Sequence, residues 1–114
     1  MIDTHCHLYD KKLYNQLDKI VENAKNNNIQ KMICIGDRLS TSDQSIKISE
    51  KYNNIYASVG IHPHEAKDAS KQYLNELKKK AAHQKVVAIG EIGLDYHYNF
   101  SDSTTQKKVF SEQL

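Results

Sequence analysis

Met1-Ile2-Asp3-Thr4-His5-Cys6-His7-Leu8 opens the chain, and its alternation reads as an extended strand. Successive side chains of a strand point to opposite faces. Asp3, His5 and His7 therefore share one face, and Ile2, Thr4, Cys6 and Leu8 the other. The second face is mostly apolar and suits packing against helices. The first carries two imidazoles and a carboxylate, which are costly to bury unless something binds them. A divalent cation does this, because neutral imidazole is a good ligand for transition-metal ions. The Asp-x-His-x-His pattern thus points to a metal-binding strand.

The rest of the chain repeats the strand at intervals. Lys31-Met32-Ile33-Cys34-Ile35-Gly36, Ile55-Tyr56-Ala57-Ser58-Val59-Gly60 and Val86-Val87-Ala88-Ile89-Gly90 are short apolar runs, each closed by glycine. The first of these reads as a strand covered on both faces, and the other two read as the third and fourth strands. Helical periodicity fills the gaps. Leu13, Leu17, Ile20, Val21 and Ala24 form the stripe of one helix, ended by Asn26-Asn27-Asn28. Ser40 or Ser42 is expected to cap a second, with Asp43 closing a capping box from Ser40 and Ile46, Ser49 and Tyr52 turned inward. A third starts at Asp68 or Ser70, with Tyr73, Leu74, Leu77 and Ala81 inward and Lys78-Lys79-Lys80 solvated. Ser103-x-x-Gln106 opens a fourth, carrying Val109, Phe110 and Leu114. Strands alternating with amphipathic helices, about 30 residues per unit, are the signature of βαβ units and a parallel sheet. Its crossovers are expected to be right-handed.

At 114 residues the chain suits one domain with a real core. Hydrophobic residues make up 39% and charged residues 26%, which excludes a disordered or membrane-embedded class. No apolar run has transmembrane length, and no signal peptide is visible, so a cytoplasmic location without a membrane partner is expected. The net charge of +2 is too small to draw nucleic acid by bulk electrostatics. Cys6 and Cys34 read as buried thiols acting as small hydrophobes, not as a disulfide framework or a metal site.

Functional groups of a parallel sheet gather at the carboxyl ends of its strands. There the sequence places His5 and His7, then Asp37 and Arg38, then His62-Pro63-His64-Glu65, then Glu91 with Gly93 and Asp95; His97 follows in the last loop. His83 precedes a strand and belongs to the opposite, structural face. Glu91 ends an otherwise apolar strand between glycines and is the natural partner of the histidine pair, since a carboxylate gives one oxygen to each of two ions. His62 and His64 are read either as contacts to a substrate phosphate and proton shuttles or as hydrogen-bonded loop histidines. Asp3 either orients a histidine or caps the strand, and Asp95 organises its own loop. No aromatic-interleaved basic patch suited to base stacking is apparent.

Three segments carry a resemblance. Ile2-Asp3-Thr4-His5-Cys6-His7-Leu8, Val59-Gly60-Ile61-His62-Pro63-His64 and Gly90-Glu91-Ile92-Gly93-Leu94-Asp95-Tyr96 resemble, in order and spacing, the N-terminal motifs of the TatD family of metal-dependent deoxyribonucleases. The resemblance covers essentially the whole chain. It implies an α/β fold of the TIM-type (β/α)8 barrel group and hydrolysis of phosphodiester bonds in DNA. It also implies divalent cations, magnesium, manganese or zinc, two per complete site. By that resemblance His5 and His7 are metal ligands, Glu91 is a metal ligand and catalytic group, and His62 and His64 bind substrate. A barrel of this type needs about 250 residues, so the chain is expected to form its first four βα units, a half barrel. The family's two later histidines and late aspartate have no counterpart among these residues.

Two other readings stand beside this one. The chain is a metal hydrolase of the same barrel group acting on small esters or amides, or a non-catalytic half barrel that needs a complementary chain or self-association. Strands one and four would lie about 14 Å apart in a flat sheet, so His5 and His7 meet Glu91 only if the sheet curls.

Overall fold

The computed structural model describes residues 1–114 throughout. Four parallel strands form one sheet in the order β1-β2-β3-β4: β1 (Ile2–Cys6), β2 (Lys31–Ile35), β3 (Ile55–Val59) and β4 (Val86–Ile89). Consecutive strands are neighbours, so every connection returns the chain by a helical crossover. This is the four-unit α/β pattern that the spacing predicts. No helix is long and apolar enough to cross a membrane.

The main core lies between the sheet and its first helices. Leu8, Leu17, Met32, Cys34, Ile48 and Ile55 form one buried cluster. Each fully buried large aliphatic side chain contributes about 1.5–3 kcal/mol. A second cluster of Ile61, Ala66, Tyr73 and Val109 joins the segment after β3 to the last two helices. The Tyr73 hydroxyl donates to Glu112 at 2.6 Å and clamps those helices together.

Several local expectations are corrected. The helix predicted across Leu13 to Ala24 is two, α1 (Lys11–Tyr14) and α2 (Leu17–Asn26). Asp10 caps the first through the Lys12 N–H, and Asn15 ends it, leaving Leu13 exposed and Leu17 buried. Helix α3 (Leu39–Lys51) begins before Ser40. Thr41 fixes its start, its Oγ1 accepting from the amides of Asp37 and Arg38 just ahead of the helix at 3.0 Å each. Its inner face is Ser42, Ser45, Ile48 and Ser49, all buried, while Ile46 is only half-buried. Small hydroxyl side chains let this helix lie close to β2 and β3, and Ser45 donates to Cys34 Sγ at 3.4 Å.

After β3 a short 3-10 helix (Pro63–Asp68) precedes α4 (Tyr73–Ala81), so the third helix starts later than Asp68 or Ser70. Helix α5 (Ser103–Gln113) is capped by Asp102, which accepts from the Thr104 and Thr105 amides, not by Ser103. Gln106 is buried and bonds elsewhere.

In β1 the register with β2 shifts between Asp3 and Cys6. Ile2 and Thr4 are exposed, so only Cys6 and Leu8 of the expected apolar face enter the interior. The outer strands are thinly covered: Ile2 is 55% exposed, Val87 52% and Ile89 41%. Both cysteines are free, Cys34 buried and Cys6 half-buried.

Candidate functional site

All four strands point the same way, so their carboxyl ends make one rim. His5 and His7 stand at the end of β1, Asp37 and Arg38 after β2, His62 and His64 after β3, and Glu91 after β4. His83 precedes β4 and pairs with Glu50 at 3.1 Å, away from this rim.

The structure brings His5, His7 and Glu91 together: one ligand atom from each lies within 4.8 Å of the others. His5 Nε2 is 3.1 Å from His7 Nε2 and 3.7 Å from Glu91 Oε2. Two nitrogens held by one zinc-type ion at about 2.0–2.1 Å in tetrahedral geometry sit roughly 3.3 Å apart. The donor set, two imidazoles and a carboxylate with open positions left, suits a divalent cation of the catalytic kind.

The backbone around each ligand is pinned. The Glu91 N–H donates to the Gly36 carbonyl at 2.8 Å, and Ser58 Oγ donates to the Gly90 carbonyl at 2.8 Å. Gly60 permits this closeness, since a Cβ there would lie 2.8 Å from the Gly90 carbonyl carbon. Asp3 does not join the metal face. Its Oδ1 accepts the His5 N–H at 3.0 Å and fixes the strand where the register shifts.

A residue the sequence reading missed supports His7. The Tyr9 hydroxyl lies 2.7 Å from His7 Nδ1. Ligation through Nε2 requires the proton on Nδ1, with the Tyr9 oxygen accepting it, the outer-shell arrangement that fixes a ligand's tautomer and ring. Burial, aided by the Asp37 carboxylate, pushes the Tyr9 hydroxyl up, so it stays protonated. Strand alternation carried no signal for it, because β1 ends at Cys6, and Leu8 and Tyr9 lie in the turn closed by the Asp10 N–H on the His7 carbonyl. Burial also pushes Asp37 upward, but bonds from Thr41 and Arg38 outweigh it and hold its carboxyl below the usual range. Arg38 also reaches Glu65 at 3.0 Å, tying β2's end to the 3-10 helix.

His62 and His64 diverge. His62 Nδ1 accepts the His64 N–H at 3.1 Å, so in the neutral ring Nε2 carries the proton, 3.7 Å from Glu91 Oε1. Burial holds His62 below its usual pKa against the opposing pull of Glu91. His64 turns away and meets Asp95 Oδ2 at 2.5 Å. Of these two, only His62 faces Glu91. Asp95 organises its loop, its Oδ1 accepting from the His97 and Tyr98 amides. The bond from His64, then these amides, hold its carboxyl down at about 2. Gln106 grips the same loop, accepting from Asp95 N–H and donating to the Asp95 and Ser101 carbonyls. Tyr96, Tyr98 and Phe100 on this loop are each more than half exposed, with no lysine or arginine interleaved among them.

Comparison with known proteins gives the same architecture. The model of the TatD related DNase family matches residues 2–114. An uncharacterized metal-dependent hydrolase, YabD of Bacillus subtilis, is 38% identical over 114 residues, covering all of this chain and 45% of that protein. The 3'-5' ssDNA/RNA exonuclease TatD of Cronobacter turicensis is 30% identical, with 43% of its length covered. Among solved structures, YJJV, a TatD homolog from Escherichia coli K12, superposes with a TM-score of 0.89 at 28% identity, over 99% of this chain and 44% of the other. A TatD-family hydrolase from Entamoeba histolytica gives the same TM-score at 29% identity. The chain thus spans less than half the length of these relatives, and its four parallel units correspond to the first four βα units of their TIM-type barrel.

Proposed function

Because the chain belongs to the TatD-related DNase family, we propose that its rim is one side of a divalent-metal site hydrolysing phosphodiester bonds in DNA. The convergence of His5, His7 and Glu91 from the first and fourth strands carries this reading. A bound cation would supply Lewis-acid charge beside the phosphoryl oxygens and make water a better nucleophile. His5 and His7 would hold it, with Tyr9 fixing the ring of His7. Glu91 faces two ways, Oε2 toward His5 and Oε1 toward His62, so it can serve two ions at once. His62 offers its Nε2 proton to Glu91 or to a phosphoryl oxygen. His64, engaged by Asp95, contributes to substrate binding by holding the loop beside that phosphate.

Three ligands leave coordination positions open, and the remaining groups are expected from later strands of a closed barrel. The four units are thus a half barrel whose full activity needs that complement, in the same polypeptide or in a second one. The open backbone edges of β1 and β4 and their exposed apolar side chains favour this, because unpaired edges take further strands and uncovered apolar surface calls for a partner. They also favour a second reading, in which the half barrel associates without catalysing. To separate the two, a labelled single-stranded DNA is incubated with manganese and the chain, alone and with the later strands of the Bacillus relative. Metal-dependent cleavage only in the mixture, abolished by Glu91→Ala, is expected. Cleavage that survives Glu91→Ala or chelation contradicts the assignment.

A further inference from the structure

Cys6 and Cys34 are the two cysteines of the chain, and the metal site makes no use of either. They are register partners across the β1-β2 pair. Neighbouring strands lie about 4.8 Å apart, inside the roughly 4.4–6.8 Å between Cα atoms that a disulfide spans. Both side chains lie on the same side of the sheet, since Cys6 packs against the cluster that holds Cys34. Cys6 Sγ donates to the Ile33 carbonyl at 3.3 Å, and Cys34 Sγ accepts from the Ser45 hydroxyl at 3.4 Å. Sulfur is a weak partner in both roles, so neither contact holds its thiol firmly in place. A hydrogen bond from Cys6, opposed by burial, keeps the Cys34 thiol below its usual pKa, so the two sulfurs face each other. Cys34 is buried, while Cys6 is half-buried and is the sulfur that a small solute reaches. Cys6 also stands between His5 and His7 in the chain.

We propose that Cys6 and Cys34 are a dithiol modification site, oxidised by a peroxide to a reversible disulfide that ties β1 to β2 on the strand of the metal-ligand histidines. One sulfur attacks a peroxide oxygen and breaks the O–O bond, giving a sulfenic acid and water. The other sulfur displaces the sulfenic oxygen, which leaves as a second water. The S–S bond forms, both thiol protons end in the waters, and the two electrons lost by the sulfurs reduce the peroxide. The bond is a switch and not a staple. Parallel strands hold facing Cβ atoms about as far apart as the strands, beyond the about 3.8 Å of a relaxed disulfide. Strained disulfides are the easily reduced, regulatory kind.

The test treats the whole chain, reduced, dilute and in the presence of a chelator, with hydrogen peroxide. Free thiols are then capped with a maleimide in denaturant, and a tryptic digest is read by mass spectrometry. Trypsin releases Cys6 in Met1–Lys11 and Cys34 in Met32–Arg38. These peptides are expected as one disulfide-linked pair, with both maleimide adducts lost together and both regained after dithiothreitol. Mixing isotope-labelled with unlabelled chains separates a bond within one chain from a bond between chains. The bond should form faster in the folded chain than in urea, because the fold holds the sulfurs together. Both cysteines still capped, Cys6 carried to the sulfinic acid with Cys34 capped, or a bond between chains overturns the site. So does bonding that is equal or faster in urea. The measurement needs no variant. No metal is bound and no turnover is read, so the result is independent of the hydrolytic reading.

Discussion

His5 Nε2 and Glu91 Oε2 lie 3.7 Å apart, although their strands are the two edges of a four-stranded sheet. Three strand spacings amount to about 14 Å on the flat. The difference is made up by curvature of the sheet and by side chains reaching inward across the rim. Four strands already carry the curl that brings the ligands together; closure of a full barrel is not what creates it. Enclosure by further strands would add ligands and cover the edges.

Tyr9→Phe should leave the fold intact and weaken zinc binding about 10- to 100-fold, the usual effect of losing an outer-shell partner. The hydroxyl at 2.7 Å from His7 Nδ1 is all that this substitution removes. Calorimetric titration of both proteins measures the effect, and equal affinities would show that Tyr9 does not orient the ligand.

Gly60→Ala should cost about 1–3 kcal/mol, as overpacking does. The new Cβ would meet the Gly90 carbonyl carbon at 2.8 Å, and backbone cannot rotate away as a side chain can. Urea unfolding gives the stability. Metal affinity should fall in parallel, because Glu91 follows directly.

Gln106→Ala should cost about 1–3 kcal/mol by leaving the buried Ser101 carbonyl without its bond and loosening both main-chain bonds to Asp95. Amide exchange at Asp95, His97 and Tyr98 should speed up selectively. An unchanged exchange pattern would show that the loop is held from elsewhere.

Asp95 supplies the pH dependence. Its folded pKa, about 2, lies below the ordinary carboxylate value because of His64. A depressed carboxylate stabilises the fold fully above its unfolded pKa of about 3.9, and the contribution fades as pH falls toward the folded value. Urea midpoints should therefore decline between about pH 4 and 2, and Asp95→Asn should remove part of that decline. An identical decline in the variant would assign it to other carboxylates.

Much of the fold was legible because strand and helix periods differ. Apolar runs closed by Gly36, Gly60 and Gly90 located three strands, and the Asp3-x-His5-x-His7 alternation located the first. Boundaries were less legible where polar residues compete for the same amides. Thr41, not a serine, serves the start of α3, and Asp102 outcompetes Ser103 because a carboxylate accepts from two amides at once. Ile48 displaced Ile46 from the interior because the serine face of α3 set its rotation. At the site, strand ends placed His5, His7 and Glu91 at one rim. The opposite orientations of His62 and His64 were not readable, since they depend on Asp95, 31 residues beyond His64. The aromatic loop was overlooked because its period-two pattern carries no basic residues.

The central claim is that His5, His7 and Glu91 hold one ion together. X-ray absorption at the zinc edge, on the chain loaded with one equivalent of zinc, tests it most directly. Two imidazoles and a carboxylate oxygen in the first shell are predicted, with the imidazole scattering lost in the His5→Ala, His7→Ala variant. A shell containing sulfur, or one unchanged by that double substitution, would contradict it.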